Sequence, residues 1–356
     1  MTAMPTSLAA PAACPSCGRP VGPDDNFCEA CGAKLAQPAV NGSAGSAGSA
    51  GAMAGACPFC RSTGSSPDGF CESCGRRLPS NRDHDELDLG LLAGVTDRGL
   101  RHHRNEDAMA LATTQLASGP AAIAVVCDGV SGSARPDEAA RVAAQTIVRA
   151  LMAAVDNGDD LARAGAEAAG SAREALVELA RPDGGAPGAL ADNVPATTFV
   201  CATLADHAIT LTWLGDSRAY WLRAGPHPAA EQLTRDDSVA AEMVAAGLSE
   251  TSALALPQAH TLTRWIGADI CEAPHVTRFE PLGPGVLLLC SDGLWNYQPD
   301  GAELARLALP AALTDPLGAA SALVRFALAK GGMDNVTAVL APFPYPPTRI
   351  ARRARP

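Results

Sequence analysis

Lysine is almost missing from this chain. Of its 27 basic side chains only Lys34 and Lys330 are lysines, while Ala, Gly and Pro are abundant, a bias that points to a high-GC bacterial genome. Long apolar runs are missing too. No stretch approaches the roughly 18 residues that a helix needs to cross a bilayer, so no transmembrane segment is expected. Residues 1–13 carry no basic residue ahead of their small apolar stretch, which argues against an export signal. Pro11 stands where a lipoprotein cleavage site before Cys14 calls for leucine. A cytoplasmic location is therefore expected. Positive charge is also short, with a formal net charge of -11 over 356 residues.

Cysteine is not scarce, but it is unevenly placed. Eight of the twelve cysteines lie before residue 75; the others, Cys127, Cys201, Cys271 and Cys290, stand singly in apolar stretches and read as small buried hydrophobes. The first eight form an internal repeat. Cys14 and Cys17 with Cys28 and Cys31 are followed by Cys57 and Cys60 with Cys71 and Cys74, the two pairs of each copy separated by the same ten residues. Phe27 and Phe70 precede the third cysteine of each copy, and Gly32 and Gly75 follow the fourth. A two-residue gap lets two thiolates face one ion from a tight knuckle, and four thiolates close a tetrahedral structural zinc site. Disulfides in a secreted module would need an export signal. A redox Cys-x-x-Cys would need a flanking strand and helix, and neither pattern is present. Two structural Zn2+ ions, one per four-cysteine unit, are expected, each holding a ribbon with little core of its own.

Zinc ribbons raise the question of nucleic acid, and charge answers it. Residues 1–85 hold six Arg and Lys (Arg19, Lys34, Arg61, Arg76, Arg77, Arg82) against seven Asp and Glu. Each four-thiolate zinc site adds a further net charge of about minus two. A phosphate-backbone binder would be clearly basic, so a protein partner is expected instead. Between the ribbons, residues 42–51 repeat Gly-Ser-Ala with no apolar bulk and read as a flexible linker.

Beyond the ribbons, acidic clusters stand where strands would hand over to turns: Asn105-Glu106-Asp107, Asp128-Gly129, Asp292-Gly293 and Asp334-Asn335. The apolar runs 122–127 and 286–290 lead into two of them and read as buried strands. Carboxylates gathered from distant strand ends repel one another, so their convergence requires a divalent cation. An isolated Asp-Gly is only a tight turn. The series carries more weight: Arg104-Asn105-Glu106-Asp107-Ala108, Cys127-Asp128-Gly129-Val130-Ser131-Gly132, Ala196-Thr197-Thr198, Leu214-Gly215-Asp216-Ser217-Arg218, Leu233-Thr234-Arg235-Asp236-Asp237-Ser238, Leu262-Thr263-Arg264, Ser291-Asp292-Gly293 and Gly332-Met333-Asp334-Asn335.

At these residues, over about 89–342, the chain resembles the metal-dependent serine/threonine protein phosphatases of type 2C. Expected strands at 89–95, 108–112, 121–127, 197–204, 208–214, 218–222, 286–290 and 335–340, with helices at 138–155, 160–179, 239–246, 301–309 and 316–329, have an α+β order. That order fits the family's four-layer α-β-β-α sandwich. The expected organisation is a first ribbon at 1–36, a linker at 37–56, a second ribbon at 57–79, a linker at 80–88, a phosphatase domain at 89–343 and a basic Pro/Arg tail at 344–356.

The resemblance implies Mg2+- or Mn2+-dependent hydrolysis of phosphoserine and phosphothreonine by a water shared between two ions. Its substrates would be phosphoproteins of a bacterial serine/threonine kinase. Asp128 would bridge the ions and the Gly129 carbonyl would ligate one, with Asp292 and Asp334 on the other. Glu106 and Asp107 would orient metal-bound waters, Asp107 counting also among the metal residues, and Asp216 would serve a weaker third ion. All these donors are oxygen, which suits hard dications. The chain departs from the family at His102, where the phosphate-binding arginine is expected; Arg101 and Arg104 flank it. Either a neighbouring arginine substitutes or His102 holds the phosphate less firmly. Val130 stands where some relatives carry a proton-donating histidine, which leaves that proton to water. Residues 237–260 correspond to the family's flap. The competing reading is a regulatory scaffold whose phosphatase-like fold is idle, but an idle domain has no need to collect mutually repelling carboxylates.

Overall fold

The computed structural model describes residues 12–13, 20–21, 60, 62, 71–75, 83–181, 193–225, 229–269 and 272–344. The chain divides into two compact units. In the smaller, β1 (Ala12–Ala13) pairs antiparallel with β2 (Pro20–Val21), on either side of Cys14 and Cys17 in sequence. The 42–51 linker, the basic tail beyond 344 and Cys271 lie outside the described residues.

The larger unit opens with β3 (His84–Asp88), β4 (Ala93–Asp97), β5 (Asp107–Leu116) and β6 (Gly119–Asp128). Helices α1 (Pro136–Asn157) and α2 (Leu161–Leu179) follow, then β7 (Ala196–Thr197), β8 (Phe199–Ala205), β9 (Ala208–Leu214), β10 (Arg218–Arg223) and β11 (Ala229–Gln232). Two short helices, α3 (Val239–Ala245) and α4 (Glu250–Leu254), lead to β12 (Ile266–Gly267), β13 (His275–Phe279) and β14 (Gly285–Cys290). The unit closes with α5 (Asp292–Trp295), α6 (Gly301–Ala312), α7 (Pro316–Lys330) and β15 (Val336–Phe343). A six-stranded sheet runs β11-β10-β14-β15-β4-β3 and a five-stranded sheet runs β13-β9-β8-β6-β5.

The alternation of side chains along the strands builds the layers. In β6, Ala121, Ile123, Val125 and Cys127 face α1 and α2, while Ala122, Ala124 and Val126 face the other sheet. In β14, Val286, Leu288 and Cys290 pack on α6 and α7, while Leu287 and Leu289 enter the middle layer. Both faces are buried, which is why these strands read as continuous apolar runs. Four layers result, α-β-β-α, as the resemblance implied.

Three details differ from expectation. Residues 84–88, read as linker, form β3, whose edge position lets His84, Asp85 and Glu86 stay in water and so hides the strand from an apolar pattern. The strand expected at 89–95 begins only at Ala93, after a turn closed by the Leu89 amide on the Leu92 carbonyl at 3.0 Å. The edge strands β11 and β13 were missed because their exposed faces interrupt the hydrophobic period.

Candidate metal centre

Both sheets deliver acids to one end of the sandwich. Asp107 opens β5 and Asp128 closes β6, and the two are direct cross-strand partners. Asp292 opens α5 with only Ser291 between it and β14, and Asp334 stands with only Asn335 between it and the neighbouring β15. The glycines beside them exist for close approach. A Cβ on Gly129 would lie 2.5 Å from the Pro136 carbonyl oxygen, and one on Gly293 would lie 1.9 Å from that of Asn335.

These carboxyls are desolvated and crowd one another. Burial, opposed in part by hydroxyl donors, raises the Asp107 pKa from 3.8 to about 7, with the charges of Asp292 and Asp334 adding to it. Burial and Asp334 raise Asp292 to about 7 as well, and its carboxyl lies within hydrogen-bonding reach of Asp128. Asp128 is pushed well above the usual range by burial and then by Asp107, Asp292, Asp216 and Asp334, and Asp216 rises chiefly through burial and Asp292. Asp107, Asp128, Asp216 and Asp292 therefore belong to a single cluster, to which Asp334 adds its charge. Asp107 Oδ2 accepts hydrogen bonds from Ser291 Oγ and Thr337 Oγ1, both at 2.7 Å, whereas its Oδ1 is buried with no hydrogen-bond partner.

The loop ahead of β5 is stitched to the loop ahead of β15. Asn335 Oδ1 accepts the Glu106 amide at 2.7 Å, and Asn335 Nδ2 donates to the carbonyls of Arg98 at 2.8 Å and Arg104 at 3.1 Å. Asn105 Nδ2 donates to Thr96 Oγ1, itself paired with Thr337 Oγ1. Asn335, Ser291, Thr337 and Asn105 are supporting residues; the motifs contain Asn105, Ser291 and Asn335, but the sequence assigns no role to any of the four. The Asp128 carbonyl accepts from the Thr198 amide and Thr197 Oγ1, each at 2.8 Å, which fixes the turn into Gly129.

Glu106 faces Arg104 and Ser131, with Arg104 Nε donating to its Oε1 at 2.9 Å and Ser131 Oγ to its Oε2 at 2.7 Å. Arg104 also lies 3.5 Å from Asp137. His102 Nε2 is 3.2 Å from Asp334 Oδ1. Arg101 is exposed and makes no ion pair among the described residues. On the flap side, Trp295 Nε1 donates to the Asp216 carbonyl at 2.9 Å, and Asp237 Oδ2 accepts the Gly215 amide at 2.9 Å. Arg218 stacks on Trp295, 3.7 Å from the ring centroid, and chelates Asp236 through Nε and Nη2. A cavity of about 410 Å³ lies between that stack and α3.

An all-oxygen cluster in which burial and neighbouring charge raise Asp107, Asp128, Asp216 and Asp292, with one buried carboxylate oxygen of Asp107 unpartnered, fits a hard divalent cation. Residues 99–310, more than half of the chain, match the family model described as protein phosphatase 2C. The chain belongs to the protein phosphatase 2C family. Serine/threonine protein phosphatase PstP of Mycobacterium tuberculosis is 33% identical over 255 residues, which are 70% of this chain and 44% of that protein. The chain thus spans less than half the length of that relative. Serine/threonine phosphatase stp of Listeria monocytogenes is 28% identical over 254 residues, 69% of this chain and 92% of its own length. Among solved structures, the M. tuberculosis phosphatase PstP/Ppp is 28% identical with a TM-score of 0.56, covering 70% of this chain and 97% of that one. The catalytic domain of PstP in complex with two manganese ions is 26% identical with a TM-score of 0.54, covering 70% and 97%.

Ahead of the protein phosphatase 2C segment, residues 14–79 match the double zinc ribbon. In its second half Cys71 is buried and Cys74 half-buried. The Gly75 amide donates to the Cys71 carbonyl at 2.8 Å with φ +68, the left-handed turn that explains a glycine after the last cysteine. Cys14, Cys17, Cys28, Cys31 and Cys57 lie outside the described residues. No helix among the described residues is long and apolar enough to cross a membrane.

Proposed function

We propose that the chain is a Mg2+- or Mn2+-dependent phosphatase of phosphoserine and phosphothreonine in proteins. The buried, unpartnered Asp107 Oδ1 amid Asp128, Asp292 and Asp334 carries the reading. Two divalent cations, when bound, supply an activated water and neutralise the phosphoryl oxygens. Asp128, the Gly129 carbonyl, Asp107, Asp292 and Asp334 are the residues to hold them, and Asp216 is the residue for a weaker third. The relative solved with two manganese ions supports this number.

The protein's own part is positioning. Ser291 and Thr337 aim the Asp107 carboxylate by donating to one of its oxygens, which leaves the other for a cation. Glu106, held by Arg104 and Ser131, would orient water beside the cations. Because Arg104 is engaged by Glu106 and Asp137, Arg101 is the free guanidinium beside the position that His102 occupies, and it receives the phosphate as a two-pronged donor. His102, 3.2 Å from Asp334, assists when protonated. The double zinc ribbon holds two zinc ions and tethers a protein partner, a reading supported by its acidic balance. Its substrates are phosphoproteins of a bacterial serine/threonine kinase in the cytoplasm, a reading supported, as far as phosphoprotein substrates go, by the named relatives being serine/threonine phosphatases.

Hydrolysis of an aryl phosphate and of a phosphothreonine peptide, with and without Mn2+, tests the proposal. Turnover of both with Mn2+ supports it. No turnover under any divalent cation favours the idle scaffold.

A further inference from the structure

Two large apolar side chains stand in water beside the acidic cluster. Leu100 is 63% exposed and Met333 59%, while every other exposed large apolar side chain among the described residues, Leu282 apart, is at 49% or less. Each immediately precedes a residue of the site, Leu100 before Arg101 and His102, Met333 before Asp334. The backbone holds them together. The Leu100 amide donates to the Gly332 carbonyl at 2.7 Å, and the Leu100 side chain lies over Gly332, where an added Cβ would come within 2.8 Å of Leu100 Cγ. The Met333 amide is fixed by Tyr297 Oη at 2.8 Å, and His102 meets Asp334 across the same seam. Neither side chain is needed for these ties, which run through backbone atoms and other side chains. Their exposed surface therefore adds nothing to the stability of the fold and is left to meet a partner.

We infer that Leu100 and Met333 form an apolar shelf at the rim that takes the aliphatic side chain next to the phosphorylated residue of a polypeptide substrate. The inference rests on the phosphatase reading above. With the phosphoryl group at the acids and Arg101, the neighbouring substrate residue has its Cα about 3.8 Å along the chain. Its side chain then falls within reach of residues one step away from the site on both loops. Covering both shelf side chains removes apolar area from water, and the gain appears as tighter binding with the chemical step unchanged.

The test uses the full chain with Mn2+, an aryl phosphate, and two phosphothreonine peptides that differ only in leucine or serine on either side of the phosphorylated residue. The wild type should favour the leucine peptide by about tenfold in kcat/KM, carried by KM, the equivalent of roughly 1.4 kcal/mol. The pair Leu100→Ser and Met333→Ser should lose that preference while aryl phosphate turnover and kcat hold, and Leu100→Met with Met333→Leu should keep it. Equal use of both peptides by the wild type, or a preference that survives the serine pair, overturns the shelf alone. Aryl phosphate left unhydrolysed by the wild type overturns the phosphatase reading and the shelf with it.

Discussion

At the scale of single residues, the chemistry is one of carboxyls placed where they do not belong unless a cation joins them. Asp107 and Asp292 titrate near 7 in the metal-free fold and near 3.8 when unfolded. The folded state therefore keeps protons that the unfolded chain has already released, so this contribution is present below about pH 4 and is lost as pH rises through about 7. The thermal midpoint of metal-free protein should fall between about pH 5 and pH 8, and the fall should shrink in Asp107→Asn. Added Mn2+ should raise the midpoint most at the alkaline end, where no proton has to be displaced. A metal-free midpoint that climbs across this range would contradict the assignment. Gly293 gives a second test. A methyl group there collides with the Asn335 carbonyl, so Gly293→Ala should cost about 1–3 kcal/mol or more in denaturant unfolding and separate Asp292 from Asp334.

At the scale of elements, the sequence was most readable where a strand is buried on both faces. β6 and β14 showed as unbroken apolar runs ending in aspartate, and the Ala-rich faces of α1 and α7 kept the helical period. Edge strands were not readable, because β3 and β13 need apolar residues on one face at most and β3 on hardly any. The acids of the cluster could be named from order and spacing, but their partners could not: the hydroxyls of Ser291 and Thr337 reach Asp107 across 184 and 230 residues of chain. The same holds at His102, where the sequence left three candidates and only the geometry ties Arg104 to Glu106. Arg101→Ala should consequently raise KM for a phosphopeptide and lower kcat, at a combined cost of about 2–3 kcal/mol, whereas Arg104→Ala should act mainly through Glu106. Equal effects of the two would remove Arg101 from the phosphate. β3 carries its own prediction. Removing residues 1–80 should leave aryl phosphate turnover intact, but removing 1–89 strips β4 of one of its two partner strands, leaving β15, and should lower the thermal midpoint by several degrees.

At the scale of the whole molecule, two different metal chemistries share one chain: soft thiolates ahead of residue 75 and hard carboxylates beyond residue 100. Protein purified without added metal should carry about two zinc ions that survive dialysis against Mn2+, since closed four-thiolate sites hold zinc tightly. The central claim is that the carboxylate cluster, and nothing in the ribbons, performs phosphoester hydrolysis. Phosphate release from a phosphothreonine peptide, followed against Mn2+ concentration for the wild type and for Asp128→Ala of unchanged circular dichroism, tests it most directly. Saturable Mn2+-dependent release is expected of the wild type, with loss of at least three orders of magnitude in Asp128→Ala, roughly 4 kcal/mol of transition-state stabilisation. Comparable release by the two proteins would contradict it.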